Sequence, residues 1–471
     1  MRDCSVMTDL LRTLPREVFL LILDELPKAD LKSLSRVSRW LRGGVAESLW
    51  NSITIRAWDE TRLSDIQTSG LPQSSLKHAK KLHFLAEFKQ VKGRRCPHYD
   101  APCSFLSPGL NTDDNMGRRD VFHFDRLVRK AHSLLKRIKP GQLQSFSWNL
   151  GVCGPADIFG YKGILSLQQP SLRTLSLITD PTCVEHHAAL RDRHIDLSSF
   201  HQLQNLTWRG PGHENLNTLS DVVRNNSAHL RQLELDFVNR FIVFNYDTDA
   251  TDVSDDSDDS DDSDVQDKMK STKVTRKRSV FASVVLRLNH HPQRPLFRNI
   301  CVLSLRQVPL SAHMAGAFNF DTLESLTLRM CPWWDIFLVR VMQLNLPIKL
   351  RAFEIVEDSD IAFEWGDGII SDFLNAFGGL EELCVSQTGP APTLDLWDIL
   401  GHRHPTLKRF VHHQRSNEID DVFQRPTDLP DLAVVGSDMR RIKEDPSRNP
   451  LTKLGLEFIG LACIPARLVS L

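Results

Sequence analysis

Nowhere in this chain does an uninterrupted apolar run approach the roughly 18 residues that a membrane-spanning helix needs, which excludes a transmembrane protein of the helical kind. The opening residues, MRDCSVMTDLLRTL, hold no long apolar core and no small-residue cleavage site, so no secretory signal is expected. A formal net charge of −1 argues against a globally basic nucleic-acid binder. The nine cysteines are scattered and odd in number, a usage that fits reduced thiols in the cytoplasm or nucleus. Catalytic signatures are missing as well: there is no G-x-x-x-x-G-K-[ST] loop, no G-x-G-x-x-G, no G-x-S-x-G elbow and no H-E-x-x-H. The pairs His186–His187, His290–His291 and His412–His413 make no ready two-ligand site, because adjacent residues on a strand point to opposite sides; they and the HRH of His402–His404 read as surface or turn residues. No catalytic residue, metal or cofactor is expected. The remaining enzymatic reading is a site built from insertions on a repeat scaffold, for which the scattered His and Cys residues give no convergent pocket.

At 471 residues with 41% apolar content, the chain has ample material to fold, but its length argues for an elongated or repetitive architecture over one compact core. Leu14–Trp50 organises the rest. Pro15 sits where a helix can start and Glu17 adds negative charge near the positive end of its dipole. Val18, Leu21 and Ile22 make one apolar stripe, which Phe19 and Leu23 widen beyond a single face, so this short helix should be buried on two sides, by its own domain and by a partner. Pro27 ends it. Asp30 is the expected N-cap of a second helix carrying Leu31, Leu34, Val37, Trp40 and Leu41, with Gly43 and Gly44 as its stop and Val45–Trp50 as a third helix.

The string Leu14-Pro15, Glu17-Val18, Ile22, Leu26-Pro27, Leu31, Leu34, Val37-Ser38, Trp40-Leu41 and Leu49-Trp50 resembles an F-box, the module that docks on the Skp-type adaptor of SCF-type cullin-RING ubiquitin ligases. The resemblance covers residues 8–52. It implies a three-helix fold in which Leu14, Pro15, Val18, Ile22, Leu31, Leu34 and Trp50 serve adaptor binding, some as direct contacts and some as the module's core.

Residues 53–471 repeat. An apolar-x-x-apolar-x-apolar pattern appears as Leu143-Phe146-Trp148, Leu172-Leu175-Leu177, Leu203-Leu206-Trp208 and Leu230-Leu233-Leu235, at steps of 29, 31 and 27 residues. It resumes as Ile300-Leu303-Leu305, Leu323-Leu326-Leu328, Leu350-Phe353-Ile355, Leu380-Leu383-Val385 and Leu407-Phe410-His412, at steps of 23, 27, 30 and 27. Weaker copies stand at Trp50-Ile53-Ile55, Ala79-Leu82-Phe84 and Leu451-Leu454-Leu456. Spacing of this size is close to the leucine-rich-repeat period of roughly 20–29 residues. The fold class expected is therefore α/β: a three-helix F-box followed by an irregular leucine-rich-repeat solenoid, with parallel strands on the concave face and helices or loops on the convex face. The irregular repeats resemble those of filamentous-fungal F-box families. Trp333-Trp334, after Pro332, should pack the start of a helix against the array.

Two stretches break the period. One loop is expected at about 89–120, with Cys96, His98 and Cys103 in RRCPHYDAPC; a zinc site would need a fourth, distant ligand such as His123, and a loop with incidental thiols is the simpler reading. The other lies at about 245–280, where DTDATDVSDDSDDSDDSD is followed by the basic KVTRKRS; ten of those eighteen tract residues are Asp, a composition that should stay disordered. A solvated loop is the plain reading. The sharper ones are phosphorylation at Ser254, Ser257, Ser260 and Ser263, and a nuclear import signal.

On such an array, residues between the buried strand positions are the surface for a protein substrate: Arg209, Glu234, Asp236, Arg306, Arg329, Glu354 and Arg409. The resemblance implies a substrate-recognition subunit that bridges a Skp-type adaptor, and through it a cullin, to a protein substrate. An F-box scaffold or assembly protein without a ubiquitination role is the other reading it allows.

Overall fold

The computed structural model describes residues 11–57, 63–86, 114–180, 195–238, 279–288, 294–357, 366–388, 393–415 and 450–461. The chain divides into two compact units, Met1–Leu203 and Gln204–Leu471. Past a helical turn at 11–13, the first carries the helices α1 (Arg16–Asp24), α2 (Lys28–Val37) and α3 (Arg39–Trp50). Strands and returns then alternate: β1 (Ser52–Ala57), a 3-10 turn (Leu63–Asp65), α4 (Gln73–Leu76), β2 (Lys81–Ala86), α5 (Asp114–Lys136), β3 (Ser145–Asn149), α6 (Ala156–Phe159), α7 (Ile164–Gln168) and β4 (Thr174–Ile178). Helix α5 begins inside the stretch expected to form a loop; Cys96, His98 and Cys103 lie outside the described residues.

All pairings are parallel. In the first unit the register aligns Ile55 with Phe84, Phe84 with Trp148, and Trp148 with Leu177. Each of these positions is buried, as the alternation of a strand with one apolar face requires. The rings interlock: Phe84 and Trp148 centroids are 5.4 Å apart, and Trp148 meets Phe159 of α6 edge-on at 5.8 Å. Glutamines close the connections between repeats. Gln142 Nε2 donates to the carbonyls of Leu76 and Ala79, both at 2.7 Å, while Gln169 accepts from the Leu143 N–H at 2.9 Å and donates to Lys139 O at 3.0 Å. These side chains satisfy backbone groups that a dry interior would otherwise strand.

The second unit holds β5 (Asn205–Arg209), α8 (Leu216–Asn226), β6 (Gln232–Asp236), a π-helical turn (Phe281–Val285), β7 (Val302–Arg306), α9 (Ala312–Ala315), β8 (Ser325–Arg329), α10 (Trp334–Gln343), β9 (Ala352–Val356), α11 (Gly366–Asn375), β10 (Glu382–Thr388), α12 (Thr393–Arg403), β11 (Arg409–Arg415) and β12 (Phe458–Leu461). Two inward rows run through it. One is Leu206, Leu233, Leu303, Leu326, Phe353, Leu383 and Phe410; the other is Trp208, Leu235, Leu305, Leu328, Ile355, Val385 and His412. In β12, Ile459 and Leu461 continue the register, and Ile459 is exposed at this end of the sheet. Parallel strands joined by helical returns, at the spacing read from the sequence, form a leucine-rich-repeat array.

Residues just past several strands take the left-handed conformation, Gly210 (φ 73°), Gln307 (φ 55°) and Met330 (φ 53°). Their N–H groups donate to the carbonyls of Asp236, Arg329 and Val356 on the following strand. Cys331 stands just past β8, where the usual leucine-rich repeat carries Asn or Cys: its Sγ lies 3.2 Å from Leu305 O, and burial pushes the thiol pKa up to about 12. Trp333 (φ 60°) precedes α10 and Trp334 is buried at its start, as expected.

Several expectations need correction. The last weak copy is out of phase, because Pro450–Lys453 form a 3-10 turn that buries Leu451, and the register instead selects Leu456-Ile459-Leu461. His404 and His412 are buried, not surface residues. His404 accepts from the Leu380 N–H at Nδ1 and donates from Nε2 to Leu374 O, so it is satisfied in place. Cys153 is disulfide-bonded, against the expectation of reduced thiols, whereas Cys301, Cys331 and Cys384 are free. The acidic tract, the basic cluster, His186–His187 and His290–His291 lie outside the described residues.

Candidate functional site

Pro15, with ψ 141°, stands one residue before α1, and its carbonyl accepts the Phe19 N–H at 3.0 Å. The helix buries Phe19 and Leu23, which join Leu31, Leu41 and Val45 in one small core; Leu14, Leu34, Trp40 and Leu49 pack around it. Phe19 and Trp40 rings meet at 5.3 Å. The stripe read first in the sequence does not join that core. Val18 is 42% exposed, Leu21 67% and Ile22 42%, and Val37 at the end of α2 is 61% exposed. The bundle therefore leaves apolar side chains in water on the side of α1 away from its core.

The helix boundaries differ from those expected. Pro27 precedes α2, which starts at Lys28, so Asp30 lies in its first turn and is not its cap. Helix α2 stops at Val37 because Ser38 turns extended, and Ser38 Oγ accepts the Leu41 N–H at 3.1 Å to start α3. Gly43 and Gly44 therefore lie inside a helix and stop nothing. A Cβ at Gly44 would stand 2.7 Å from Phe19 Cε1, so this glycine admits the ring at the helix crossing. Replacing Ser38 by Ala is expected to cost about 1 kcal/mol of stability, read from the urea midpoint.

The family comparison bears on these helices: the F-box-like family model matches residues 11–56. Residues 11–56 form an F-box-like domain. A comparison of the chain with curated proteins finds no match. In the F-box-like domain Leu31 is core, Leu14, Leu34 and Trp50 are half-buried, and Pro15, Val18 and Ile22 are exposed. Glu47 joins Lys80 of the next repeat at 3.3 Å while also holding Arg16 of α1 at 3.5 Å, and Lys28 Nζ donates to Ser52 O at the start of β1 at 2.7 Å. Among the described residues, no helix is long and apolar enough to cross a membrane.

The charged residues of the second unit form a ladder of both signs. Arg209, Asp236, Arg306 and Arg329 align in register at the ends of β5 to β8. Asp236 Oδ2 takes Arg209 at 3.1 Å and Arg306 at 3.6 Å, while Arg329 grips Glu354 with two bonds of 2.8 and 2.9 Å. Burial raises the Asp236 pKa, and Arg306, Arg209 and Arg329 oppose that rise. Glu234 accepts from Gln232 at 2.6 Å and from Thr207 at 3.4 Å. Arg409 belongs elsewhere: it aligns with Glu382 and Phe458, and its guanidinium lies 5.7 Å over the Phe458 ring. The cations are thus held by neighbouring carboxylates, so the face is a fixed mosaic of both signs.

Proposed function

We propose that this chain is the substrate-recognition subunit of an SCF-type cullin-RING ubiquitin ligase, acting in the cytoplasm or nucleus. The F-box-like domain would bind the Skp-type adaptor through Val18, Leu21 and Ile22 with Leu14 and Pro15, while Leu31, Leu34 and Trp50 hold the bundle in shape. The repeat array would bind a protein substrate through the mosaic of Arg209, Glu234, Asp236, Arg306, Arg329 and Glu354, with Arg409 in a separate row. The chain itself forms no bond with ubiquitin in this scheme; it raises the effective concentration of substrate lysines near the activated ubiquitin. The supporting observation is the exposed apolar stripe on α1, set opposite a complete core of Phe19, Leu23, Leu31, Leu41 and Val45.

The test is capture of purified Skp-type adaptor by the full chain. Val18→Glu and Ile22→Glu are each expected to weaken binding on the order of tenfold, because a charge would be desolvated in the contact, while leaving the unfolding midpoint unchanged, because both positions already face water. A folded wild-type chain that fails to bind the adaptor overturns the reading.

A further inference from the structure

We propose that the outer edge of β1 is a docking site for an extended acidic segment of a partner protein, which adds to the sheet as one more strand beside Thr54 and Arg56. The ladder fixes which groups face outward. Lys81 N–H donates to Asn51 O, and parallel pairing then turns the N–H groups of Ile53, Ile55 and Ala57 toward β2. The N–H and C=O of Thr54 and Arg56 face the other way, where no strand of the described residues pairs with them. Ser52 O, the first carbonyl on that outer edge, is already taken by Lys28 Nζ at 2.7 Å. Among the described residues, the rest of the edge is an open row of donors and acceptors.

A groove of about 910 Å³ runs along this edge, and every residue from Ile53 to Ala57 lines it. Its far wall is the segment around Ile66 and Thr68, braced by Lys130 of α5, whose Nζ donates to Ser64 O at 2.7 Å and Ile66 O at 2.8 Å. Six strand residues span about 20 Å, room for a peptide of about the same length. Among the described residues, the lining charges are Arg56, Arg126 and Lys130 against the carboxylate of Asp65. Arg56 and Arg126 are exposed, and the described structure gives neither an ion pair nor a hydrogen-bonding side-chain partner. A free sheet edge supplies affinity through the main chain, and flanking cations select an acidic segment over a neutral one. The site lies outside the apolar stripe on α1, so it stands or falls independently of adaptor binding.

The probe is a random twelve-residue peptide library displayed on phage and selected on the full chain. Acidic peptides should be enriched on the wild type, and synthetic copies should bind Thr54→Pro at least about tenfold more weakly, because proline removes an outward N–H without touching the β2 ladder. The Arg56→Glu, Arg126→Glu double variant should lose a similar factor, while Thr54→Val, which keeps the N–H, should bind as the wild type does. Bound peptide should slow amide exchange at Thr54 and Arg56 in the wild type, a readout that needs no variant to fold. If no acidic peptide is enriched, Lys28 and Arg56 only guard the edge against self-association and the proposal fails. Equal binding to Thr54→Pro, or to the double glutamate variant, also overturns it.

Discussion

Trp148→Ala is expected to destabilise the first unit by about 3–5 kcal/mol, seen as a fall in the urea midpoint of the full chain's first transition. Trp148 is fully buried, aligned with Phe84 on one side and Leu177 on the other, and capped by the Phe159 ring. Truncation leaves a ring-sized void that three neighbours on separate elements cannot all move to fill. Trp148→Phe is expected to cost much less. The indole Nε1 has no hydrogen-bond partner among the described residues, so phenylalanine gives up no bond and relieves a stranded donor while keeping most of the ring contact. An alanine variant that loses less than about 1 kcal/mol would show that this row of the array collapses easily, contrary to its interlocked packing.

The second large effect concerns pH. His412 is buried in an otherwise apolar row and lies near the Phe410 ring, with Nε2 unpartnered among the described residues. Burial, with a smaller push from His413, lowers its pKa from 6.5 to about 4. Above pH 6.5 the residue is neutral in both folded and unfolded chains and its neutral burial contributes fully to stability. As pH falls below 6.5 the unfolded chain takes up the proton first, and stability is lost until the folded pKa near 4 is reached, a total of about 3 kcal/mol. His404, also lowered by burial, acts in the same direction. His412→Leu should remove the larger part of this acid sensitivity and raise stability at pH 7, since leucine suits a position aligned with Val385 and Leu461. Denaturant midpoints at pH 7 and pH 5 for both proteins provide the check; identical slopes would refute the assignment.

What could be read from the sequence was whatever depends on a residue's own neighbours in the chain. The Leu-x-x-Leu-x-Leu copies from Trp50 to Leu407 fall on β1 to β11, because strand burial with period two leaves its mark directly in the residues. Leu451 misled because a buried residue in a 3-10 turn mimics the first position of the motif. Gly43 and Gly44 looked like a stop, yet Ser38 already supplies the cap and Gly44 answers to Phe19, a residue twenty-five positions earlier. The pairing of Arg329 with Glu354, and of Arg209 and Arg306 with Asp236, depends on register between repeats, which no single stretch encodes. The open edge of β1 is likewise a property of where the sheet ends.

Leu233 and Leu303 are 70 residues apart and still lie side by side in the same register that joins Leu206 to Leu233 across 27. Loop closure grows only as the logarithm of length, so stretching that connection costs about 1 kcal/mol, whereas a one-residue slip within a strand would turn its whole apolar row outward. Length and phase are therefore governed by separate rules in this chain. Between strands the polypeptide can accept or shed whole segments as cargo, and the array behind them keeps its place as a rack keeps its slots.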